Sequence, residues 1–156
     1  MLIDAFPFFN ELDVLELRLR ELYDVVDRFI LVEGTRTHAG APKPLYFVEN
    51  AARFAPWMDK IQHIVVNLPP GAGLVAAWRR EIMQRQGIVQ GLAGIPDDAH
   101  VLISDCDEIP RRTHVAVGNL PPDGILIYGQ RLHYYNLNTT SAAVWNGTRL
   151  TQAGNV

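Results

Sequence analysis

The sequence predicts an α/β fold: a mostly parallel sheet with helices on both faces and a mixed or antiparallel C-terminal edge. Three observations predict it. Short apolar runs alternate with segments of helical spacing over the first two-thirds of the chain, the order that β-α-β crossovers produce. Those runs are apolar at successive positions, as strands covered on both faces are. Beyond Pro110 the helical spacers stop, and two strand-like runs over 125–128 and 130–137 follow with only Gly129 between them.

The first run, over residues 2–9, is bounded by Asn10, a good helix N-cap, with Asp13 three residues on. Leu12, Leu15, Leu19 and Leu22 then recur at helical spacing, with Glu11, Arg18 and Glu21 on the other face, which predicts an amphipathic helix over 10–23. The second run, over 28–33, ends in Glu33 and Gly34, a polar group at the tip of a central strand. A long loop with Gly40, Pro42 and Pro44 follows; loops of that length in compact domains are usually functional. A short helical stretch over 49–54 leads to a third strand over 61–66. After a Pro/Gly turn, Val75, Trp78, Ile82, Ile88 and Leu92 mark a longer helix, with Trp78 expected in the core. A fourth strand over 101–104 runs straight into Asp105-Cys106-Asp107-Glu108.

Composition narrows the function. The 156 residues form one expected domain; 48% are hydrophobic, 20% charged, and the formal charge is −3. That charge excludes a dominant electrostatic grip on nucleic acid. One cysteine excludes an intrachain disulfide and a Cys-rich zinc site. The N-terminus lacks the basic region of a signal peptide and no apolar run approaches the roughly 20 residues of a transmembrane span, so a soluble, cytoplasmic protein is expected. Triad hydrolase, P-loop, dinucleotide-binding and zincin motifs are absent from the sequence.

The chemistry concentrates at two strand tips. In open α/β sheets, ligands bind beyond the carboxyl ends of the strands, where the strand order reverses. Asp105 and Asp107, one residue apart, project the same way from an extended segment and suit a hard cation, Mg²⁺ or Mn²⁺, that would also hold a diphosphate. The alternative is structural: Asp107 caps a short helix and Asp105 the strand end. Arg79, Arg80 and Arg85 on the long helix can face a phosphate or simply solvent, and Glu81 and Arg85 stand at ion-pair spacing. His38 is a candidate ligand contact in the long loop. Cys106, between two carboxylates, is expected to have a raised pKa and no nucleophilic role.

Several blocks together resemble glycosyltransferase family 17: Phe6-Pro7-Phe8-Phe9-Asn10-Glu11-Leu12-Asp13, Leu31-Val32-Glu33-Gly34-Thr35-Arg36-Thr37, Pro42-Lys43-Pro44-Leu45-Tyr46-Phe47, Trp78-x-Arg80-Glu81 with Gln84-Arg85, and Ser104-Asp105-x-Asp107-Glu108-Ile109-Pro110. They run in family order from residue 3 to about 149. The resemblance implies a GT-A-like nucleotide-sugar fold, a UDP-GlcNAc donor, a glycan or other hydroxyl acceptor, inversion at the anomeric carbon, and Mn²⁺ or Mg²⁺ as cofactor; eukaryotic members add a bisecting N-acetylglucosamine to N-glycans. It implies that Asp105 and Asp107 ligate the metal. Glu33, Thr35, Arg36, Arg80, Arg85 and Asp105 are then expected on the donor side. The family continues well past this length, so residues 1–156 are expected to form the donor-binding domain without the family's C-terminal part. An inverting transfer needs a carboxylate to take the acceptor proton; the candidates here are Glu108 and Asp123, and neither is compelling. The competing expectations are a non-catalytic nucleotide-sugar-binding domain and a metal-dependent nucleotide hydrolase. A truncated sheet with an aromatic edge near 132–137 is a candidate oligomer contact.

Overall fold

The computed structural model describes residues 1–115, 118, 120–133, 136 and 138–156. A six-stranded sheet in the order β3-β2-β1-β4-β6-β5 organises the chain. The strands are β1 (Leu2–Phe8), β2 (Arg28–Gly34), β3 (Ile61–Val66), β4 (His100–Ile103), β5 (Leu126–His133) and β6 (Thr140–Gln152). The helices are α1 (Leu12–Leu22), α2 (Tyr46–Glu49) and α3 (Leu74–Gly91), with a 3₁₀ segment over Ala51–Trp57. β1 to β4 are mutually parallel, and β6 runs antiparallel to both β4 and β5, so the predicted mixed edge is present.

Side-chain alternation along the central strands splits the core into two layers. Phe6, Phe8, Phe29 and Leu31 pack with Leu15, Leu19 and Leu22 of α1 and with Phe47 and Phe54. Ile3, Ala5, Ile30, Val32 and Val101 pack with Ile88 and Leu92 on the opposite face. The chain steps outward from β1 to β3, then returns through α3 to place β4 on the other side of β1. The order therefore reverses between β1 and β4.

Several expectations need correcting. Glu11, rather than Asn10, occupies the N-cap of α1, and its carboxylate accepts the amides of Phe9 (2.9 Å) and Asn10 (3.0 Å). Asp13 pairs with Arg53 instead of closing a capping box. Arg18 is not on the solvent face; it is fully buried. The two short C-terminal runs are one bulged strand passing through Gly129, and β6 was not anticipated. Tyr134, Tyr135 and Leu137 of the expected aromatic edge lie outside the described residues.

The long helix departs from its expected face in its first half, whereas Ile88 and Leu92 are buried as expected. α3 buries Arg80, Gln84, Gly87, Ile88 and Gly91, whereas Val75, Trp78 and Ile82 are exposed. The cause is close approach to the sheet: a Cβ on Gly87 would lie 2.6 Å from Val32 Cγ1 and 2.7 Å from Val66 Cγ2. Trp78, 56% exposed, should therefore tolerate truncation. Trp78→Ala is expected to cost less than about 1 kcal/mol in urea denaturation, against the roughly 3–5 kcal/mol of a core tryptophan. A core-sized loss would show that this face is covered in solution.

Candidate active-site cleft

A cleft of about 540 Å³ opens at the carboxyl ends of β1 and β4, where the strand order reverses. Pro7, Phe8 and Phe9 form its base, residues 105–107 one wall, and Arg36, Thr37, His38, Gln84 and Arg85 the other.

The acidic wall is a turn, not a helix cap. The amide of Glu108 donates to the carbonyl of Asp105 (3.1 Å), and the amide of Asp105 donates to the Glu108 carboxylate (3.1 Å). Asp105 pairs with Arg85 (2.6 Å), and Arg85 also lies 3.6 Å from Glu81. Asp107 is exposed and has no ion pair with any described residue. Although the residue is exposed, partial desolvation of its carboxyl group, reinforced by Asp105, Glu108 and Glu11, raises its pKa above the usual aspartate value. Cys106 is buried and its thiol is pushed up to about 12. Burial is the main cause, with the neighbouring carboxylates secondary.

Arg80 and Gln84 hold the opposite side of the cleft through hydrogen bonds to backbone carbonyls. Arg80 is fully buried and lies outside the cleft. Its guanidinium donates to the carbonyls of His38 (2.6 and 2.9 Å), Pro69 (3.2 Å) and Gly71 (3.1 Å), clamping the 35–44 loop to the 67–73 turn. The loops meet so closely that Gly40, at φ +100°, has no room for a Cβ against the Gly71 carbonyl. Gln84 donates to the carbonyls of Phe8 and Val32 (both 3.0 Å), tying β1 to β2. Its side-chain oxygen therefore accepts from His38 Nε2 (3.0 Å), which assigns the proton to that nitrogen.

Glu33 and Thr35 are also removed from the cleft. Glu33 is fully buried, and its carboxylate takes Lys43 Nζ (2.7 Å), the amides of Tyr46 (2.7 Å) and Phe47 (3.3 Å), and His63 Nε2 (3.1 Å). It anchors the base of the 35–44 loop to the sheet. The Thr35 hydroxyl accepts the Leu68 amide (3.1 Å) and lies 3.2 Å from Asn67 Oδ1, joining the tips of β2 and β3. Burial raises the Glu33 pKa, but the bonds from His63, Lys43 and the Tyr46 amide outweigh it, and the net pKa lies below the ordinary 4.5. A carboxylate depressed in the folded state stabilises the protein above its unfolded pKa, and that contribution is lost as pH falls through the folded value. Wild type should thus lose stability on acidification below about pH 4.5, and Glu33→Gln should show a shallower loss. Thermal melts between pH 7 and pH 3 would check this; parallel curves would remove Glu33 from the acid response.

Glu108 lies outside the cleft. Its carboxylate accepts Trp145 Nε1 (2.5 Å) as well as the Asp105 amide, so it closes the turn. Asp123 is exposed in the turn before β5. Of the expected site residues, Arg36, Arg85, Asp105 and Asp107 share the cleft, whereas Glu33, Thr35, Arg80 and Glu108 surround it.

Arg18 and Glu11 escaped the sequence reading. Glu11 lines the cleft, and Arg18 lies beneath its acidic wall in a buried ion pair with Asp4 (2.6 Å). The available signal for the pair was Asp4, a carboxylate inside an apolar strand, with Arg18 beside Leu15 and Leu19 on the helix stripe.

The α/β sheet, with a carboxylate-lined cleft at its switch point, has a GT-A-type architecture. The crystal structure of galactosyltransferase LgtC in complex with donor and acceptor sugar analogs superposes with a TM-score of 0.53 over 99% of this chain and 59% of that chain, at 15% identity. The likeness carries the fold. The model of glycosyltransferase family 17 matches residues 1–125, and the chain belongs to that family. The β-1,4-mannosyl-glycoprotein 4-β-N-acetylglucosaminyltransferases of Rattus norvegicus and Homo sapiens are each 34% identical over 122 residues, covering 72% of this chain and 22% of theirs. The chain therefore spans about a fifth of the length of these curated relatives. No helix among the described residues is long and apolar enough to cross a membrane.

Proposed function

We propose that this chain forms the donor-binding domain of a metal-dependent glycosyltransferase that moves a sugar, N-acetylglucosamine from UDP-GlcNAc, to a hydroxyl of a glycan or other acceptor with inversion. The observation that carries the reading is that Asp105, Asp107, Arg36 and Arg85 line one switch-point cleft.

The donor set fits a hard divalent cation. Asp107 is a carboxylate without a cation partner among the described residues, crowded by Asp105, Glu108 and Glu11. No three metal-ligating side chains cluster among the described residues. Two carboxylates that leave the remaining positions to diphosphate and water match how Mg²⁺ is usually held. Asp105 and Asp107 would hold Mn²⁺ or Mg²⁺, which when bound supplies charge neutralisation at the diphosphate leaving group. Arg85 and Arg36 offer guanidinium donors from the opposite wall. Buried Arg80, without an ion pair among the described residues, adds fixed positive charge behind that loop. Gln84 and Arg80 hold the wall rigid, so donor groups meet preset partners.

A second reading, donor binding without transfer, is favoured by one observation: the Glu108 carboxylate is engaged by Trp145 and the Asp105 amide, not free to take a proton. Calorimetric titration of UDP-GlcNAc and UDP, with Mn²⁺ and with chelator, tests the donor site. Metal-dependent binding is expected; no binding to the folded protein would overturn the reading. Sugar transfer to an acceptor then separates the enzyme from the binding module.

A further inference from the structure

We infer that Arg18 is a positioning residue for the two cleft carboxylates: from beneath, it sets the backbone of residues 104–108 so that Asp105 and Asp107 meet a divalent cation. The inference rests on the metal-dependent reading above.

Arg18 reaches from the middle of α1 under the carboxyl end of the sheet, with no part of its side chain exposed. Its Nε and Nη2 grip Asp4 of β1 in a fork (2.7 and 2.6 Å), which fixes the plane of the guanidinium. Nη2 also donates to Ser104 Oγ (2.7 Å). Nη1 donates to the carbonyls of Asp105 (2.9 Å) and Cys106 (3.1 Å), with Glu108 O at 3.4 Å. The Phe6 ring lies below, its centroid 4.4 Å from Cζ. Every N–H of the guanidinium has an acceptor, and those that do not face Asp4 face the turn carrying the acidic pair. With its carbonyls drawn inward, the turn keeps the Asp105 and Asp107 carboxylates on the cleft side.

Stability alone accounts poorly for this arrangement. A buried ion pair loses much of its attraction to desolvation, and apolar residues of similar size often replace one without loss. An apolar pair would fill the space between α1 and β1, but it would take the donor from the Cys106 carbonyl and leave those of Asp105 and Glu108 held only by the Glu108 amide and the Thr148 hydroxyl. Groups that orient metal ligands from outside the coordination sphere typically change metal affinity about 10–100-fold when removed.

The test compares wild type, Asp4→Leu/Arg18→Met, Arg18→Lys and Ser104→Ala, reading free Mn²⁺ by electron paramagnetic resonance in the presence of UDP, beside thermal melts. The double variant should melt within a few degrees of wild type, yet bind Mn²⁺ about 10–100-fold more weakly. Arg18→Lys keeps the charge without the fork and should fall between. Ser104→Ala removes one partner and should weaken Mn²⁺ about fivefold, the equivalent of one hydrogen bond. If the double variant does not fold, the two single variants decide. Unchanged Mn²⁺ affinity in the folded variants, with wild type binding normally, would overturn the role of Arg18 and leave the metal reading intact. Absence of Mn²⁺ uptake by wild type would overturn the metal reading and this inference with it.

Discussion

Asp107→Asn should abolish metal-dependent donor binding while leaving the metal-free protein as stable as wild type, or more so. The two effects have one cause. Partial desolvation and the neighbouring Asp105, Glu108 and Glu11 hold the Asp107 pKa above its ordinary 3.8, so its ionised form is disfavoured by folding. A raised carboxylate pKa destabilises the fold at pH above the folded value, and the penalty is relieved as acid protonates the group. Asparagine keeps the shape and removes the charge. In chelator at pH 8 the variant should therefore melt no lower than wild type, with the difference closing as pH falls toward the aspartate range. With Mn²⁺ and UDP the ranking should reverse, because only wild type gains stability by mass action. The loss of donor affinity in Mn²⁺ should be at least about 100-fold, since a metal ligand is removed rather than its support. Asp105→Asn offers a contrast: it also breaks the half-exposed pair with Arg85, so it should lose binding without the compensating stabilisation. A marked drop in metal-free stability of Asp107→Asn would assign the residue a structural role.

The central sheet was legible in the sequence because its strands are two-sided. Residues 28–33 form an apolar run ending at Gly34, and 61–66 carry Ile61, Ile64, Val65 and Val66 ahead of the Pro/Gly turn over 67–73, so β2 and β3 fall where expected. The Asp105 and Asp107 wall was legible for the same reason: it follows an apolar run and so falls at a strand tip. β6 was not. It opens on Thr140-Ser141-Ala142-Ala143, largely exposed and without apolar alternation, and Asn146-Gly147 reads as a turn, although it lies inside the strand. Hydropathy also misdirected the reading of Arg18 and α3. A charged side chain at helical spacing reads as surface unless its partner is known, and the partners of Arg18 are a carboxylate in a strand and a hydroxyl and carbonyls 86–90 residues away. On α3, Gly87 and Gly91 let the helix approach β2 and β3, and Arg80 and Gln84 are buried because backbone carbonyls satisfy them. Apolarity marks a buried face only when no polar network competes for it.

Arg80→Met should lower stability by about 3–5 kcal/mol, because unmet buried polar groups are costly and the clamp between two loops is lost. Four N–H···O bonds disappear, and the carbonyls of His38, Pro69 and Gly71 must find water or remain unpaired. Against the total stability of about 5–15 kcal/mol common to single domains, that is a large share. The damage should also reach the cleft. The His38 carbonyl is held by Arg80, its ring by Gln84, and Arg36 and Thr37 precede it in the same loop. Released from Arg80, this wall no longer presents a fixed surface, so donor affinity should fall even where the variant remains folded. Arg80→Lys distinguishes charge from geometry: an ammonium keeps the positive charge but cannot bridge carbonyls on two loops as a planar fork does. It should recover only part of the stability and of the donor affinity, measured by urea denaturation and by titration with UDP at a temperature where both variants are folded. Full recovery by lysine would show that the fixed charge, rather than the clamp, is what the cleft requires.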